Sequence, residues 1–385
     1  MIYLDNADTT WPKPETVYTE MDRFFRLSAA NPGRSSHRMA LAAGQVLERT
    51  RLNLARFFGV ADPARIVFAC NATDALNTAL KGLLRPGDHV VTSSMEHNSV
   101  LRPLKALEKR GVTATRVRAS GTGWLDPDDV RRAVTPKTRM IVTTHISNVT
   151  GAILPIGDIG AVAREHGLLY LIDGAQSAGT LPIDLPSLPV DLYAFTGHKG
   201  LFGPPGTGGL YIGAGVDLGC FETIREGGTG IRSEEDFQTT ELPHRFECGT
   251  PNTVGLAGLG AGVEFLAGVG PGRVREHEVG LMGRLVDGLR GIPGLRLYGP
   301  QDVRDRGAVV SFTVQGWQPA DFGTVLDQSF EIACRTGLHC APEAARTIGA
   351  FPRGTVRLSL SYLNTAGEID LALTAVGRIA ASSLP

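Results

Sequence analysis

The chain has 385 residues, of which 42% are hydrophobic and 20% charged, and its formal net charge at pH 7 is −1. This balance predicts a globular protein with one large and one smaller domain, and it disfavours nucleic acid or a membrane surface as a partner. The N-terminus has no apolar signal-peptide core, and no apolar run approaches the roughly 20 residues of a membrane span. The five cysteines are scattered without a CxxC pair, so we expect a cytoplasmic protein with no disulfide framework and no metal site.

The first two-thirds of the chain alternate short apolar runs with helical stretches. Predicted strands cover residues 65–70, 88–92, 113–118, 140–144, 168–172, 191–196 and 209–212. Predicted helices cover residues 73–84, about 100–109 and 159–166. Short apolar strands separated by helices predict an α/β architecture, in which helices cover both faces of a mostly parallel sheet.

The composition shifts at residues 255–272, where glycine is dense. Beyond this stretch we predict a long helix over 274–289, strands at 295–298 and 308–314, a helix near 319–328, a segment at 332–341, a strand at 356–361 and a last helix over 366–380. This order predicts a smaller α+β domain in the C-terminal part of the chain.

Residues 198–211, HKGLFGPPGTGGLY, contain a glycine-rich run close to the phosphate loop of nucleotide hydrolases. That loop, GxxxxGK[ST], needs a lysine for the phosphates and a hydroxyl for magnesium, and Gly209 and Leu210 occupy these two places. The nucleotide hypothesis is therefore disfavoured. The glycines instead allow a tight turn beside Lys199, where a desolvated amine would have a lowered pKa and could form a Schiff base. An ordinary surface lysine is the alternative.

Two further positions suit a pyridoxal phosphate (PLP) site. Asp173 follows an apolar strand, where its carboxylate can pair with a protonated pyridine nitrogen, and Gln176 is placed to reach the same ring. A helix N-cap is the alternative role for Asp173. Asn71, Ala72 and Thr73 lie between a predicted strand and helix, where free N–H groups and a hydroxyl can bind phosphate, although a capped helix without a ligand is the alternative.

With these residues, the chain resembles the class V aminotransferase-like, fold-type I PLP enzymes, and within them the Suf-type (group II) cysteine desulfurases, which include selenocysteine lyases. The matching stretches follow the family order at residues 3–14, 31–38, 71–77, 95–104, 147–156, 173–179, 196–211, 245–253, 335–342 and 356–365. The resemblance implies a large PLP-binding domain with a seven-stranded sheet over residues 16–260. It implies a small domain formed by residues 1–15 and 261–385.

The resemblance also implies roles in binding the cofactor. Lys199 carries PLP as a Schiff base, Asp173 pairs with the pyridine nitrogen, and His97 stacks on the ring and moves protons. The ring hydroxyl is contacted by Gln176 and Asn148. The phosphate is bound by Ala72, Thr73, Thr196 and His198 and, across the interface of a homodimer, by Thr250.

For the substrate, the resemblance implies that Arg357 binds the carboxylate of L-cysteine, with Arg335 and Asn6 beside it. Cys340 is then the nucleophile that takes the sulfur, carries it as a persulfide and passes it to an acceptor protein or thiol, as in iron–sulfur cluster assembly. The alternatives are a class V aminotransferase or another PLP-dependent lyase, such as a selenocysteine lyase, that does not use Cys340, and a catalytically silent PLP-binding scaffold. The remaining cysteines are interpreted as packing residues: Cys70, Cys220, Cys248 and Cys334.

A few positions depart from the family pattern. Leu338 replaces the first of two histidines that are frequent before the cysteine. After Ala341, the chain has Pro342 and Glu343 where methionine–proline is frequent. After the MEH motif, it has Asn98 and Ser99 where His-Ala-Asn is frequent. Asp8 stands where alanine is usual and adds a carboxylate near the substrate. These departures leave the sulfur acceptor and the choice between cysteine, selenocysteine and another amino acid open.

Overall fold

The computed structural model describes residues 1–32 and 37–382, so part of the matching stretch at 31–38 lies outside the described residues. The strands are β1 (Ile2–Tyr3), β2 (Ile66–Ala69), β3 (His89–Ser93), β4 (Thr113–Val117), β5 (Thr138–Thr144), β6 (Leu169–Asp173), β7 (Leu192–Thr196), β8 (Gly208–Ile212), β9 (Leu295–Tyr298), β10 (Val309–Val314), β11 (Ile332–Ala333), β12 (Arg335–Gly337) and β13 (Thr355–Ser359). The α-helices are α1 (Glu15–Leu27), α2 (Arg38–Phe57), α3 (Ala72–Leu83), α4 (Asn98–Glu108), α5 (Pro127–Arg132), α6 (Ile156–Glu165), α7 (Thr253–Val269), α8 (Pro271–Arg290), α9 (Pro319–Phe330), α10 (Pro342–Thr347) and α11 (Ala366–Ala381). Every strand and helix predicted from the sequence is present, with bounds that differ by only a few residues.

A seven-stranded sheet in the order β2-β8-β7-β6-β5-β3-β4 forms the centre of the larger part of the molecule. Neighbouring strands are parallel except β8, which runs antiparallel to both β2 and β7. The predicted mostly parallel sheet is therefore confirmed. Parallel strands end at one edge of a sheet, and binding sites of open α/β sheets lie outside that edge. Here β6 ends at Asp173 and β7 ends at Thr196, which places the predicted cofactor residues at this edge.

A second, antiparallel sheet in the order β12-β13-β10-β9 forms the C-terminal α+β part, with α8, α9 and α11 packed against it. The N-terminal strand β1 joins this part, because it pairs in parallel with β11 and the following Leu4 is fully buried among the apolar residues of the small sheet. The pairing involves only the first residues of the chain, and the assignment of residues 1–15 to the small domain stays a prediction. The domain bounds 16–260 and 261–385 remain a prediction.

Arg306 joins the two parts of the molecule. Its side chain is buried, and its guanidinium donates to the carbonyl oxygens of Thr150 at 2.8 Å, Val309 at 3.1 Å, Tyr298 at 3.0 Å and Pro300 at 2.6 Å. The first acceptor lies in the loop after β5, and the other three lie in or next to β9 and β10. A single buried cation therefore donates to carbonyl groups from both parts of the molecule.

The glycine-dense stretch at 255–272 forms most of helix α7, which the sequence did not predict as a helix. A Cβ on Gly258 would lie 2.7 Å from Met21 Cγ of α1, and one on Gly260 would lie 2.5 Å from Thr50 Oγ1 of α2. The glycines therefore allow α7 to approach α1 and α2 closely, and this packing outweighs the low helix propensity of glycine. Among the described residues, no single helix is long and apolar enough to span a membrane, although α7 and α8, bent by 81°, pass that test as a pair.

Two of the cysteines do not pack in the core. Cys70 and Cys220 are exposed, whereas Cys248 and Cys334 are partly buried. The interpretation of Cys70 and Cys220 as packing residues is therefore wrong. The reason is local, because Cys70 lies in the turn between β2 and α3 and Cys220 ends a short surface 3₁₀ turn.

Candidate active site

Lys199 lies in the turn that follows β7. Burial lowers the pKa of its amine to about 8, against the opposing attraction of Asp173, so a neutral amine is available near neutral pH. The backbone of this turn is held by the N-terminal segment, because Thr10 Oγ1 donates to the Lys199 carbonyl at 3.0 Å and Lys13 Nζ donates to the His198 carbonyl at 2.8 Å. The N-terminal segment thus fixes the point from which the lysine side chain extends.

Asp173 ends β6 and is 3% exposed. Burial raises the pKa of its carboxyl, and a hydrogen bond from Ala175 N at 3.0 Å together with the charge of Lys199 opposes this effect. A carboxylate at this depth requires a cationic partner to stay ionised. Gln176, three residues on, lines the same small cavity as Lys199, and its Nε2 donates to the Ala7 carbonyl at 2.8 Å.

The first turn of α3 lies against the start of α4. The N-cap Asn71 accepts from Asp74 N at 2.9 Å, and Thr73 Oγ1 shares a 2.6 Å hydrogen bond with Ser99 Oγ. The N-terminus of a helix offers free N–H groups to an anion. Ala72, the first helical residue, is buried and begins this turn. Ser99 had no predicted role, yet it connects the expected phosphate and ring-stacking residues.

His97 is the N-cap of α4, and its Nδ1 accepts from the Ser99 backbone N–H at 3.0 Å. Burial lowers the pKa of His97 to about 4, and the nearby positive charge of Lys199 adds to this effect. Burial likewise lowers the pKa of His198 to about 4. Both rings are therefore neutral at pH 7. Thr196 is 2% exposed and ends β7 two residues before His198.

Glu96, which precedes His97, is a buried carboxyl group to which the sequence analysis gave no role. Glu96 is 0% exposed, and its Oε1 accepts from Ser93 Oγ and from Thr144 N. Burial raises the pKa of Glu96 to about 8, and the charge of Asp173 also raises it. Glu96 therefore carries a proton at pH 7 and presents no second negative charge to Asp173.

Cys340 follows β12 in a tightly bent segment. His339 and Cys340 have φ angles of 50° and 58°, in the left-handed region that residues other than glycine rarely adopt. The segment is held from two sides, because Asn148 Nδ2 donates to the His339 carbonyl at 2.6 Å and Asn98 N donates to the Cys340 carbonyl at 2.8 Å. The thiol itself accepts a hydrogen bond from Arg335 Nη2 at 3.2 Å.

Arg357 lies on β13 and is 0% exposed. Its Nη2 donates to Asp5 Oδ1 at 2.6 Å and its Nη1 to the Asn148 carbonyl at 3.2 Å. Within the described part of the chain its Nε has no hydrogen-bond partner. A buried guanidinium whose Nε–H lacks a partner can bind a further oxygen atom, such as that of a carboxylate.

Two predicted residues occupy different surroundings. The Asn6 amide is engaged within the protein, since its Nδ2 donates to the Ser359 carbonyl at 3.0 Å and its Oδ1 accepts from Trp11 N at 3.3 Å. It nevertheless lines the small cavity beside Lys199. Thr250 is exposed and lines a separate groove, so a single chain does not bring it to Lys199.

The sequence profile of the aminotransferase class-V family matches residues 2–372. The chain belongs to this family. The protein described as a probable cysteine desulfurase of Methanothermobacter thermautotrophicus is 36% identical over 374 residues, which cover 96% of this chain and 92% of the relative. The cysteine desulfurase of Yersinia pseudotuberculosis is 34% identical and covers 98% of this chain and 93% of its own.

Solved structures agree with this assignment. The apo cysteine desulfurase of Thermococcus onnurineus NA1 superposes with a TM-score of 0.92 at 33% identity, covering 98% of this chain and 94% of the other. An Escherichia coli cysteine desulfurase, solved with an S-sulfonic acid, superposes with a TM-score of 0.88 at 30% identity and the same coverage. The fold is that of the fold-type I PLP transferases, as predicted.

The residues of this class-V family member fit PLP chemically. Asp173 is a buried carboxylate in need of a cation, Lys199 is an amine with a lowered pKa, and α3 directs its N-terminus toward the same edge of the sheet. One similar structure, 27% identical with a TM-score of 0.84, was solved with glycine covalently linked to its PLP cofactor. The family and this neighbour imply PLP as the cofactor.

Proposed function

We propose that this chain is a PLP-dependent cysteine desulfurase that converts L-cysteine to L-alanine. In the balanced reaction the carbon–sulfur bond of the substrate breaks, a sulfur–sulfur bond forms at Cys340, and the thiol protein becomes a persulfide protein. The observation that carries this proposal is the position of Cys340. Its sulfur accepts a hydrogen bond from Arg335, and its backbone segment is bonded both to α4, the helix that His97 caps, and to Asn148. A nucleophilic sulfur beside the cofactor residues is what desulfuration requires and what transamination does not.

Four residues are proposed to hold the cofactor ring. Asp173 would keep the pyridine nitrogen protonated, neutral His97 would stack on the ring, and Gln176 and Asn148 would contact the ring hydroxyl. When bound, the cofactor withdraws electrons from the substrate and so weakens the bond to sulfur. The phosphate contacts are proposed to be Ala72, Thr73, Thr196 and His198.

Lys199 and Arg357 are proposed to act on the substrate. Arg357 binds the α-carboxylate through the donor that Asp5 and the Asn148 carbonyl leave free, with Arg335 and Asn6 beside it. Lys199 Nζ would hold the cofactor through its amine, and the same amine would serve as the base that takes the proton from the α-carbon of the substrate. The lowered pKa of Lys199 suits this role, because a base acts best when its pKa lies near the operating pH.

Cys340 is proposed to attack the substrate sulfur as a thiolate. Arg335 Nη2 donates to the sulfur at 3.2 Å and so fixes its position relative to the substrate. The product is a persulfide at Cys340 and alanine, and an acceptor protein or thiol then removes the outer sulfur. Orientation by Arg357 directs the substrate sulfur at this thiol.

Three finer assignments also belong to this proposal. The chain is a Suf-type, group II enzyme, on the strength of the ten matching stretches in family order. It works as a cytoplasmic homodimer in which the exposed Thr250 of one subunit completes the phosphate site of the other, because a single chain leaves Thr250 in a separate groove.

The test is to incubate the purified PLP-loaded protein with L-cysteine, digest it without reduction, and measure the peptide containing Cys340 by mass spectrometry. We expect this peptide to gain the mass of one sulfur atom and alanine to form in solution. The variant Cys340→Ala should keep the visible absorbance of bound cofactor and lose sulfide production. The variant Cys220→Ala, at an exposed site, is the matched control and should behave as the parent. Unchanged turnover in Cys340→Ala would favour a PLP enzyme that does not use this thiol.

A further inference from the structure

Asp8 and Cys340 contact the same guanidinium, although they are far apart in the sequence. Arg335 Nη1 forms an ion pair with Asp8 Oδ1, and Arg335 Nη2 donates to Cys340 Sγ at 3.2 Å. The two nitrogens belong to one rigid, planar group, so the position of one fixes the position of the other. The carboxylate therefore influences where the second nitrogen lies relative to the sulfur.

The arrangement is open to solvent on the side of the carboxylate. The side chain of Asp8 is 53% exposed and that of Arg335 is 28% exposed. An ion pair of this kind contributes little to the stability of a fold, because water screens it and two long side chains lose freedom in forming it. Stability of the fold therefore does not account for this ion pair. Because Arg335 also contacts the Cys340 thiol, the ion pair instead affects the chemistry of that thiol.

The backbone around Cys340 does not depend on this ion pair. Hydrogen bonds from Asn148 and Asn98 hold the carbonyl groups of His339 and Cys340, and His339 Nε2 lies 2.8 Å from Thr355 Oγ1. These contacts place the sulfur, while Arg335 extends to it from β12 as a side chain with several rotatable bonds. Such a side chain needs a second anchor to stay at hydrogen-bond distance.

We propose that Asp8 is a positioning residue that holds the Arg335 guanidinium against Cys340 Sγ, where the guanidinium assists the sulfur as a nucleophile. The inference rests on the proposed function for its biological meaning, since the thiol matters only if it accepts sulfur. In this positioning role Asp8 acts through Arg335.

The charge of Asp8 has an effect of its own, which the experiment must separate from positioning. Removal of this negative charge by itself changes the electrostatic potential at the sulfur, whatever happens to the position of Arg335. The variant Asp8→Asn removes the charge but retains an oxygen that accepts from Arg335. The variant Asp8→Ala removes both. If Asp8 acts by positioning Arg335, Cys340 loses reactivity in Asp8→Ala and keeps its reactivity in Asp8→Asn.

The readout is the rate at which iodoacetamide alkylates Cys340 in the purified PLP-loaded protein, followed peptide by peptide with mass spectrometry at pH 7.5. We expect Asp8→Ala to slow this rate by about three- to tenfold, and Asp8→Asn to stay within about twofold of the parent. The exposed Cys220 in the same sample is the internal control, and its rate should not change. Arg335→Gln should slow the alkylation of Cys340 as Asp8→Ala does. The double variant of Asp8→Ala with Arg335→Gln should react no more slowly than Arg335→Gln alone.

An alkylation rate in Asp8→Ala equal to or above that of the parent overturns the proposal, as does a double variant that is clearly slower than Arg335→Gln. Alkylation needs neither L-cysteine nor turnover. If the persulfide at Cys340 fails to form while the variants alter alkylation as stated, the proposed function fails and the positioning role of Asp8 stands.

Discussion

The buried Glu96 gives a prediction whose magnitude follows from its surroundings. Its pKa is raised from 4.5 to about 8 in the folded protein, so it contributes stability that is fully present below pH 4.5 and is lost as the pH rises through 8. Each pH unit in this window corresponds to about 1.4 kcal/mol, so the full loss is about 5 kcal/mol. Glu96→Gln cannot ionise, and its side-chain oxygen can still accept from Ser93 Oγ and Thr144 N.

The assay is urea unfolding of the parent and of Glu96→Gln at pH 5.5, 7 and 8.5, followed by far-ultraviolet circular dichroism. We expect the variant to gain stability relative to the parent as the pH rises, by about 3–4 kcal/mol between pH 5.5 and 8.5. Glu276, exposed on α8, provides the control substitution Glu276→Gln, which should show no such trend. Parallel pH dependences for the parent and Glu96→Gln would refute the reasoning, because they would mean that Glu96 ionises normally in the folded protein.

Two further substitutions test the supports of the site. Gly179→Ala places a Cβ 2.3 Å from the Gly200 carbonyl oxygen at a φ of 89°. We therefore expect the turn carrying Lys199 to shift and the absorbance of bound cofactor to fall. Gly157→Ala is the control and should retain this absorbance, because no described atom lies within 4 Å of the added Cβ. Arg306→Met leaves four carbonyl groups without their donor, so we expect a loss of about 3–5 kcal/mol in urea unfolding, and an unchanged midpoint would contradict the bridging role.

The parts of the fold that the sequence predicted are those with a strong local pattern. Strands β5, β6 and β7 each contain a short continuous apolar run, at 140–142, 169–172 and 192–195, because helices cover both faces of the sheet. Such runs are visible in the sequence without knowledge of their neighbours. Helix α7 was missed because its glycines suggest a loop until α1 and α2 are placed beside it. Its helical state depends on contacts between residues that are distant in the chain, which no local window contains.

The candidate site divides in the same way. Lys199 and Asp173 follow strands whose positions are predictable, so their meeting at one edge of the sheet could be expected from the topology. The ion pair of Asp8 with Arg335 joins positions 327 residues apart, and the burial of Glu96 depends on the layers above and below it. Neither has a signature in the residues beside it, which is why the sequence showed Asp8 only as a departure from a pattern.

The contacts of the N-terminal segment have a consequence for biosynthesis. Asn6 bonds to a residue 353 positions further along the chain, and Thr10 and Lys13 hold the turn that carries Lys199. A ribosome releases these partners long after it has released the segment itself, so the segment waits in a growing chain without its native neighbours. The turn that carries Lys199 follows Thr10 by 189 residues, so its bonds to the segment can form about half-way through translation. The bond of Asn6 to Ser359 forms only when the chain is almost complete, so the segment gains its native neighbours in two stages.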